Sequence, residues 1–184
     1  RDGGAAAVLI CEGSRGVVRG NTLRGHAKTQ LQLGGAGTAP VLDSNLVHGS
    51  LGGGVLLFGG AGGLLRGNTV HSNAGANVRL AEGSVARLER NTVRDGKDCG
   101  VALCGGARGT LVGNTISGNA KAGVLVYGRS SVATLLGNEV HRGLQAGIYL
   151  FGGGHSLARL LRRLRAEGGG GRSFAQVRRR ACHP

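Results

Sequence analysis

Basic side chains return at a fixed beat in this chain. Arg24, His48, His71 and Arg94 each stand three residues after an asparagine, and Ser117 and His141 hold the same place further on. Guanidinium and imidazole groups gathered on one stripe can accept an acidic ligand, and imidazoles would make the grip pH-sensitive. The same column also reads as an ordinary polar outer face. A metal bridged by His48 and His71 would need a third ligand column, and the pattern supplies none, so neither a metal site nor a cofactor is expected.

The nine acids offer less. Asp2, Glu12, Asp43, Glu82, Glu89, Asp95, Asp98, Glu139 and Glu167 are scattered, whereas polysaccharide cleavage needs clustered carboxylates as acid, base or calcium ligands. No catalytic residue is assigned, and a non-enzymatic role is expected. Two residues before the asparagines the series Arg19, Asp43, Arg66, Glu89 alternates in sign, which predicts a cross-strand charge ladder. The phrase GHSLA (154–158) has a serine between a strand and a helix, but it lacks the last glycine of a nucleophile elbow, and Ser156 reads better as a helix cap. The four cysteines, Cys11, Cys99, Cys104 and Cys182, include no CxxC pair. Free thiols are expected, which favours an intracellular compartment, cytoplasmic or nuclear.

What positions these residues is a repeat. Asn21, Asn45, Asn68, Asn91, Asn114 and Asn138 are spaced by 24, 23, 23, 23 and 24 residues, and phrases such as RGNTL, RGNTV and GNTI surround them. Ten residues after each Asn stand Leu31, Val55, Val78, Val101, Val124 and Ile148, and two further on Leu33, Leu57, Leu80, Leu103, Val126 and Leu150. Val8 and Ile10 extend both columns backwards. This apolar-x-apolar pattern is a strand, repeated seven times. Further apolar columns lie three residues before the Asn and two after it, so each coil should carry three short strands.

Stacked units of this length predict an all-β fold, a right-handed parallel β-helix of about seven coils of 23–24 residues over residues 1–154. The six asparagines are expected to form a structural ladder, each amide bonding to the coils on either side from a left-handed corner position. Residues 155–184 should form a short amphipathic helix with Leu157, Leu160, Leu161 and Leu164 on one face, capping the last coil, followed by a basic tail. The 24-residue coils place their extra residue between Leu33 and Leu42 and between Val126 and Leu135.

Outward positions of the first strand, eleven and thirteen residues after the Asn, carry Leu56, Phe58, Leu125, Tyr127, Tyr149 and Phe151, with Leu9 and Cys104. Four of the five aromatic residues sit there, and Phe174 is the fifth. Such a face marks a protein partner, a covering segment of the same longer polypeptide, or a ligand. Net charge is +14, half of it in the last 30 residues, but a nucleic-acid role is not expected because only Phe174 accompanies that tail. No apolar run approaches the ~20 residues of a membrane span. The absence of Met and the start at Arg1 suggest a piece of a longer product.

The stretch DGKDCGVALCGGARGTLVGNTISGNAKAGVLVYGRSSVATLLGNEVHRGLQAGIYL (95–150) resembles the β-helix repeats of the F-box only protein eleven family. Its D-G-(K/R)-x-x-G, G-N-x-I-x-x-N and A-G-V-x-(I/V) phrases carry the likeness, and related repeats occur in carbohydrate-binding proteins and sugar hydrolases. The resemblance implies a non-catalytic substrate-recognition module of a cullin-based ubiquitin ligase, with the β-helix holding the target protein. The alternative it leaves open is a carbohydrate-binding or polysaccharide-modifying β-helix, with the same aromatics stacking on sugar rings.

Overall fold

The computed structural model describes residues 6–152. The helix and basic tail expected over 155–184 lie outside the described residues, as do Phe174, Cys182 and the GHSLA phrase.

Short strands of alternating side chains cannot bury their backbone groups alone, and here each finds its partner one repeat away. Nineteen strands form three parallel sheets. Sheet A has seven rungs, Val8–Ile10, Leu31–Gly34, Val55–Phe58, Val78–Leu80, Val101–Leu103, Val124–Tyr127 and Ile148–Phe151. Sheet B has six, from Val17–Arg19 to Val132–Leu136, and sheet C six, from Thr22–Arg24 to Glu139–His141. The chain therefore completes about six turns of an all-β parallel solenoid and begins another. No helix occurs among the described residues.

Register follows the repeat. Val78 pairs with Val55 and Val101, Leu80 with Leu57 and Leu103, and Val93 with Val70 and Ile116. The inward columns of the three sheets meet in one core: Leu33, Leu57, Leu80, Leu103 and Val126 from sheet A, Leu42, Leu65, Leu88 and Leu111 from sheet B, Val47, Val70, Val93 and Ile116 from sheet C. Burying each aliphatic side chain contributes roughly 1.5–3 kcal/mol. The columns are sealed in the middle turns and half-buried at the ends, at Val8, Ile10, Val18 and Leu23 and again at Val140, Ile148 and Leu150.

The corner between sheets B and C explains the repeated asparagine. Oδ1 of Asn45, Asn68, Asn91, Asn114 and Asn138 accepts the backbone N–H of the preceding ladder Asn at 2.8–3.0 Å. Each Nδ2 reaches back to a carbonyl of the turn before, on Val18, Leu42, Leu65, Leu88 and Leu111. The left-handed residue, however, is not the Asn but its predecessor: Gly20, Ser44, Gly67, Arg90, Gly113 and Gly137 have φ between 50° and 68°. The Asn keeps an ordinary backbone because its amide must face the stack. A different corner, between sheets A and B, absorbs the length variation, with Gly35–Gly37 where the shorter coils have Gly59–Gly60.

A second polar column lies inside the corner between sheets C and A. Asn73, Asn77 and Asn119 are fully buried. Asn73 Nδ2 donates to Asn77 Oδ1 at 2.8 Å, and Asn77 Nδ2 to Asn119 Oδ1 at 3.0 Å. Asn73 and Asn119 also accept backbone N–H groups from Ser50 and Gly96. The space for these amides comes from glycines: a Cβ on Gly54 would lie 2.4 Å from the Asn77 carbonyl oxygen, and one on Gly96 2.6 Å from Asn77 Nδ2.

Candidate recognition surfaces

Because inward positions fill the solenoid, outward positions hold whatever chemistry the chain presents. Sheet A, sheet B and sheet C present three different faces.

On sheet A, Leu125 pairs in register with Tyr149 and Tyr127 with Phe151, which brings Tyr127, Tyr149 and Phe151 together. The Tyr127 and Phe151 rings stack with centroids 5.5 Å apart and 12° between planes, and Tyr149 joins Phe151 at 6.1 Å. They remain 48%, 51% and 38% exposed, respectively, for Tyr127, Phe151 and Tyr149. Phe58 does not join them. It sits three rungs away, about 14 Å at the usual strand spacing, with its ring over Gly34 of the neighbouring rung. The aromatic face expected as one patch is thus a cluster of three and one separate ring, because a shared column says nothing about distance along the axis.

Beside that cluster, along the corner between sheets C and A, runs an open groove of about 530 Å³. Leu56, Arg79, Ala102 and Leu125 form its floor, and Tyr127 closes one end. Gly52, Gly53 and Gly75 make a wall of bare backbone, while Asp98 and Lys121 face each other across 2.8 Å at its rim. The Asp98 carboxylate holds the Lys121 ammonium above its usual range. Cys99 is buried beside them, and burial, followed by the Asp98 charge, pushes its thiol pKa up, so it is a packing residue and a weak nucleophile. Arg79 is the one charged residue on the sheet A strands among the described residues, and its guanidinium lies 3.6 Å from the Cys104 sulfur.

On sheet B, Asp43 accepts from Arg19 Nε at 2.7 Å and from Arg66 Nη2 at 3.0 Å. The hydrogen bond from Arg66 foremost, then that from Ser44, holds its carboxyl below the usual carboxylate range against the opposing effect of burial. The charge ladder stops there, since Glu89 pairs with Arg87 on its own strand and not with Arg66. Two side chains of one strand, both outward, outcompete the rung-to-rung contact.

On sheet C, Arg24, His48, His71 and Arg94 occupy consecutive rungs in register. The His48 and His71 rings stack at 4.9 Å with planes 4° apart. His71 Nδ1 lies 2.9 Å from Ser72 Oγ, and Arg94 pairs with Asp95. Burial, then the Arg94 and His48 charges, lowers the His71 pKa, with Asp95 acting the other way. His141 lies 3.8 Å from Glu139 at the far end. Among the described residues no three of His, Cys, Asp or Glu gather closely enough to hold a metal, and no helix is long and apolar enough to cross a membrane.

Two groups escaped the sequence reading. The signal for Asn73, Asn77 and Asn119 was present as amides alternating with Gly54, Gly96 and Gly100 at fixed offsets from the ladder, but each column also contains residues of other types. Arg79 carries no signal in the sequence, because a single basic residue among apolar neighbours breaks no period.

Comparison with known proteins finds one correspondence: the family model described as right handed beta helix region matches residues 1–140. No curated protein and no solved structure matches the chain. With parallel rungs, three stacked sheets and a matched stretch covering most of its length, the chain belongs to the right-handed β-helix family.

Proposed function

We propose that the outer face of sheet A is a non-catalytic recognition surface for an extended segment of a partner protein. The observation that carries this reading is the apolar strip of Leu56, Ala102, Leu125, Tyr127 and Phe151, interrupted by the one guanidinium of Arg79. The solenoid fills its interior with its own columns, so outward leucines and aromatics add little to folding and leave apolar surface for a partner to cover. A bound segment would set apolar side chains against Leu56, Leu125 and Tyr127 and an acidic one against Arg79. Its backbone could approach the glycine wall.

The acids support a binding role over acid–base chemistry. Asp43, Glu89, Asp95 and Asp98 are each paired with an Arg or Lys, so these carboxylates are engaged in ion pairs and not grouped with one another. In the setting that the resemblance to the F-box family implies, the segment would belong to a protein handed to a cullin-based ubiquitin ligase inside the cell. Co-purification of a cullin adaptor with the full-length product tests that setting separately.

The surface itself is tested by selecting a displayed random-peptide library on the chain. Enriched peptides should combine apolar residues with an acid, lose at least about tenfold in affinity against Tyr127→Ala, and lose their acidic preference against Arg79→Ala. Selected peptides that bind both variants as well as the parent would remove this face from consideration. The near-parallel Tyr127 and Phe151 rings favour a second reading, a platform for a sugar ring, and a glycan array probed with the parent and Tyr127→Ala distinguishes it.

A further inference from the structure

Sheet C carries a separate surface on which the proposed sheet A function does not depend. Its outward column runs Arg24, His48, His71, Arg94 on four successive rungs. Like charges directly opposite on paired strands destabilise a sheet. Sheet B shows how this chain avoids that cost, by placing Asp43 between Arg19 and Arg66. Sheet C places two imidazoles between its arginines instead. Neutral imidazoles separate the arginines as well, but they leave these four strands without an acid of their own, a place that an anionic ligand would fill.

We propose that the His48–His71 pair, flanked by Arg24 and Arg94, binds a tetrahedral oxyanion, a sulfate or phosphate group, and takes up a proton when it does so. Two parallel rings one rung apart present their edges side by side, so one oxyanion can accept a hydrogen bond from each. Nδ1 of His71 is engaged with the Ser72 hydroxyl, which leaves Nε2 as its nitrogen for a ligand, a donor in the tautomer where Ser72 donates and in the imidazolium. The charged groups acting on His71 are Arg94 and His48, which oppose its protonation, and Asp95, which favours it. Asp95 is already paired to Arg94. Glu139, the other acid on this sheet, lies beside His141, three rungs from His71. A bound dianion would reverse this balance and draw a proton from solvent onto the pair. Binding therefore strengthens as pH falls through the imidazole range.

Inorganic sulfate is the suitable probe because it stays a dianion throughout that range, and the imidazole resonances of the full chain report binding at constant ionic strength. The His48 and His71 signals should move together and saturate, with an affinity about tenfold tighter at about pH 5.5 than at about pH 8, while the His26 signals stay in place. Pyrophosphate, long enough to reach a neighbouring guanidinium, should bind more tightly than sulfate, and Arg24→Gln should reduce that advantage. The double variant His48→Gln, His71→Gln should lose the pH dependence. Equal shifts at His26 and His141, or a sulfate affinity independent of pH in the parent chain, overturn the proposal without recourse to any variant.

Discussion

At the scale of single residues, one amide does the work of several. Asn91 accepts from the Asn68 backbone N–H and side chain at 2.9 and 3.0 Å and donates to the Leu65 carbonyl and the Asn114 amide, both at 2.9 Å. All of these groups sit in or beside the core, away from water. Asn91→Ala leaves buried donors and acceptors unpaired and should cost about 3 kcal/mol in urea unfolding, whereas Asn21→Ala, at the exposed end, should cost less than about 1. Asp43 makes a prediction with a pH sign. Its folded pKa is depressed, chiefly by the hydrogen bond from Arg66, so the stability it contributes is present above the unfolded carboxylate pKa and is lost as pH falls through the folded one. Asp43→Asn should lower the thermal midpoint at neutral pH. Its deficit relative to the parent should close as the pH drops below about 4, and a constant deficit would remove the carboxylate from the explanation.

At the scale of elements, strands and corners obey different constraints, and they were legible to different degrees. Leu57, Leu80 and Leu103 share one environment at every turn, so their recurrence identified the sheet A core without any structure. Corners require only that some residue take a left-handed backbone, and Gly20, Ser44 and Arg90 do so before the Asn that identified the corner. That duty is exchangeable among residue types, so its column, glycine at four of six positions, is weaker than the column of asparagines beside it. Phe58 and Tyr127 share a column yet stand three rungs apart, because periodicity gives the face and rung number gives the distance. The corner between sheets A and B already exists in two lengths, with Ala36 as the surplus residue between Gly35 and Gly37. Deleting Ala36 should therefore leave circular dichroism unchanged and stability within about 1 kcal/mol. Deleting Thr69 instead shifts Val70 to the outer face and should abolish cooperative unfolding.

At the scale of the whole molecule, each turn touches chiefly the turns on either side, so stability is a sum of neighbour contacts along one axis. The inward columns are sealed in the middle and half-buried at both ends, which grades that sum. Amide hydrogen exchange should be slowest in Val55–Phe58, Val78–Leu80 and Val101–Leu103 and faster toward Val8–Ile10 and Ile148–Phe151. Removing one buried side chain reveals how far a defect travels. Leu80 packs in register between Leu57 and Leu103, so Leu80→Ala should cost about 2–5 kcal/mol and speed exchange most in those two rungs. Three rungs on, the strand carrying Tyr149 and Phe151 should exchange as in the parent, and equal acceleration there would mean that the solenoid opens as one unit, not turn by turn. A graded response has a functional consequence. The sheet C anion stripe at His48 and His71 and the sheet A aromatic cluster at Tyr127 and Phe151 lie on different turns, so a defect introduced at one should leave ligand binding at the other intact.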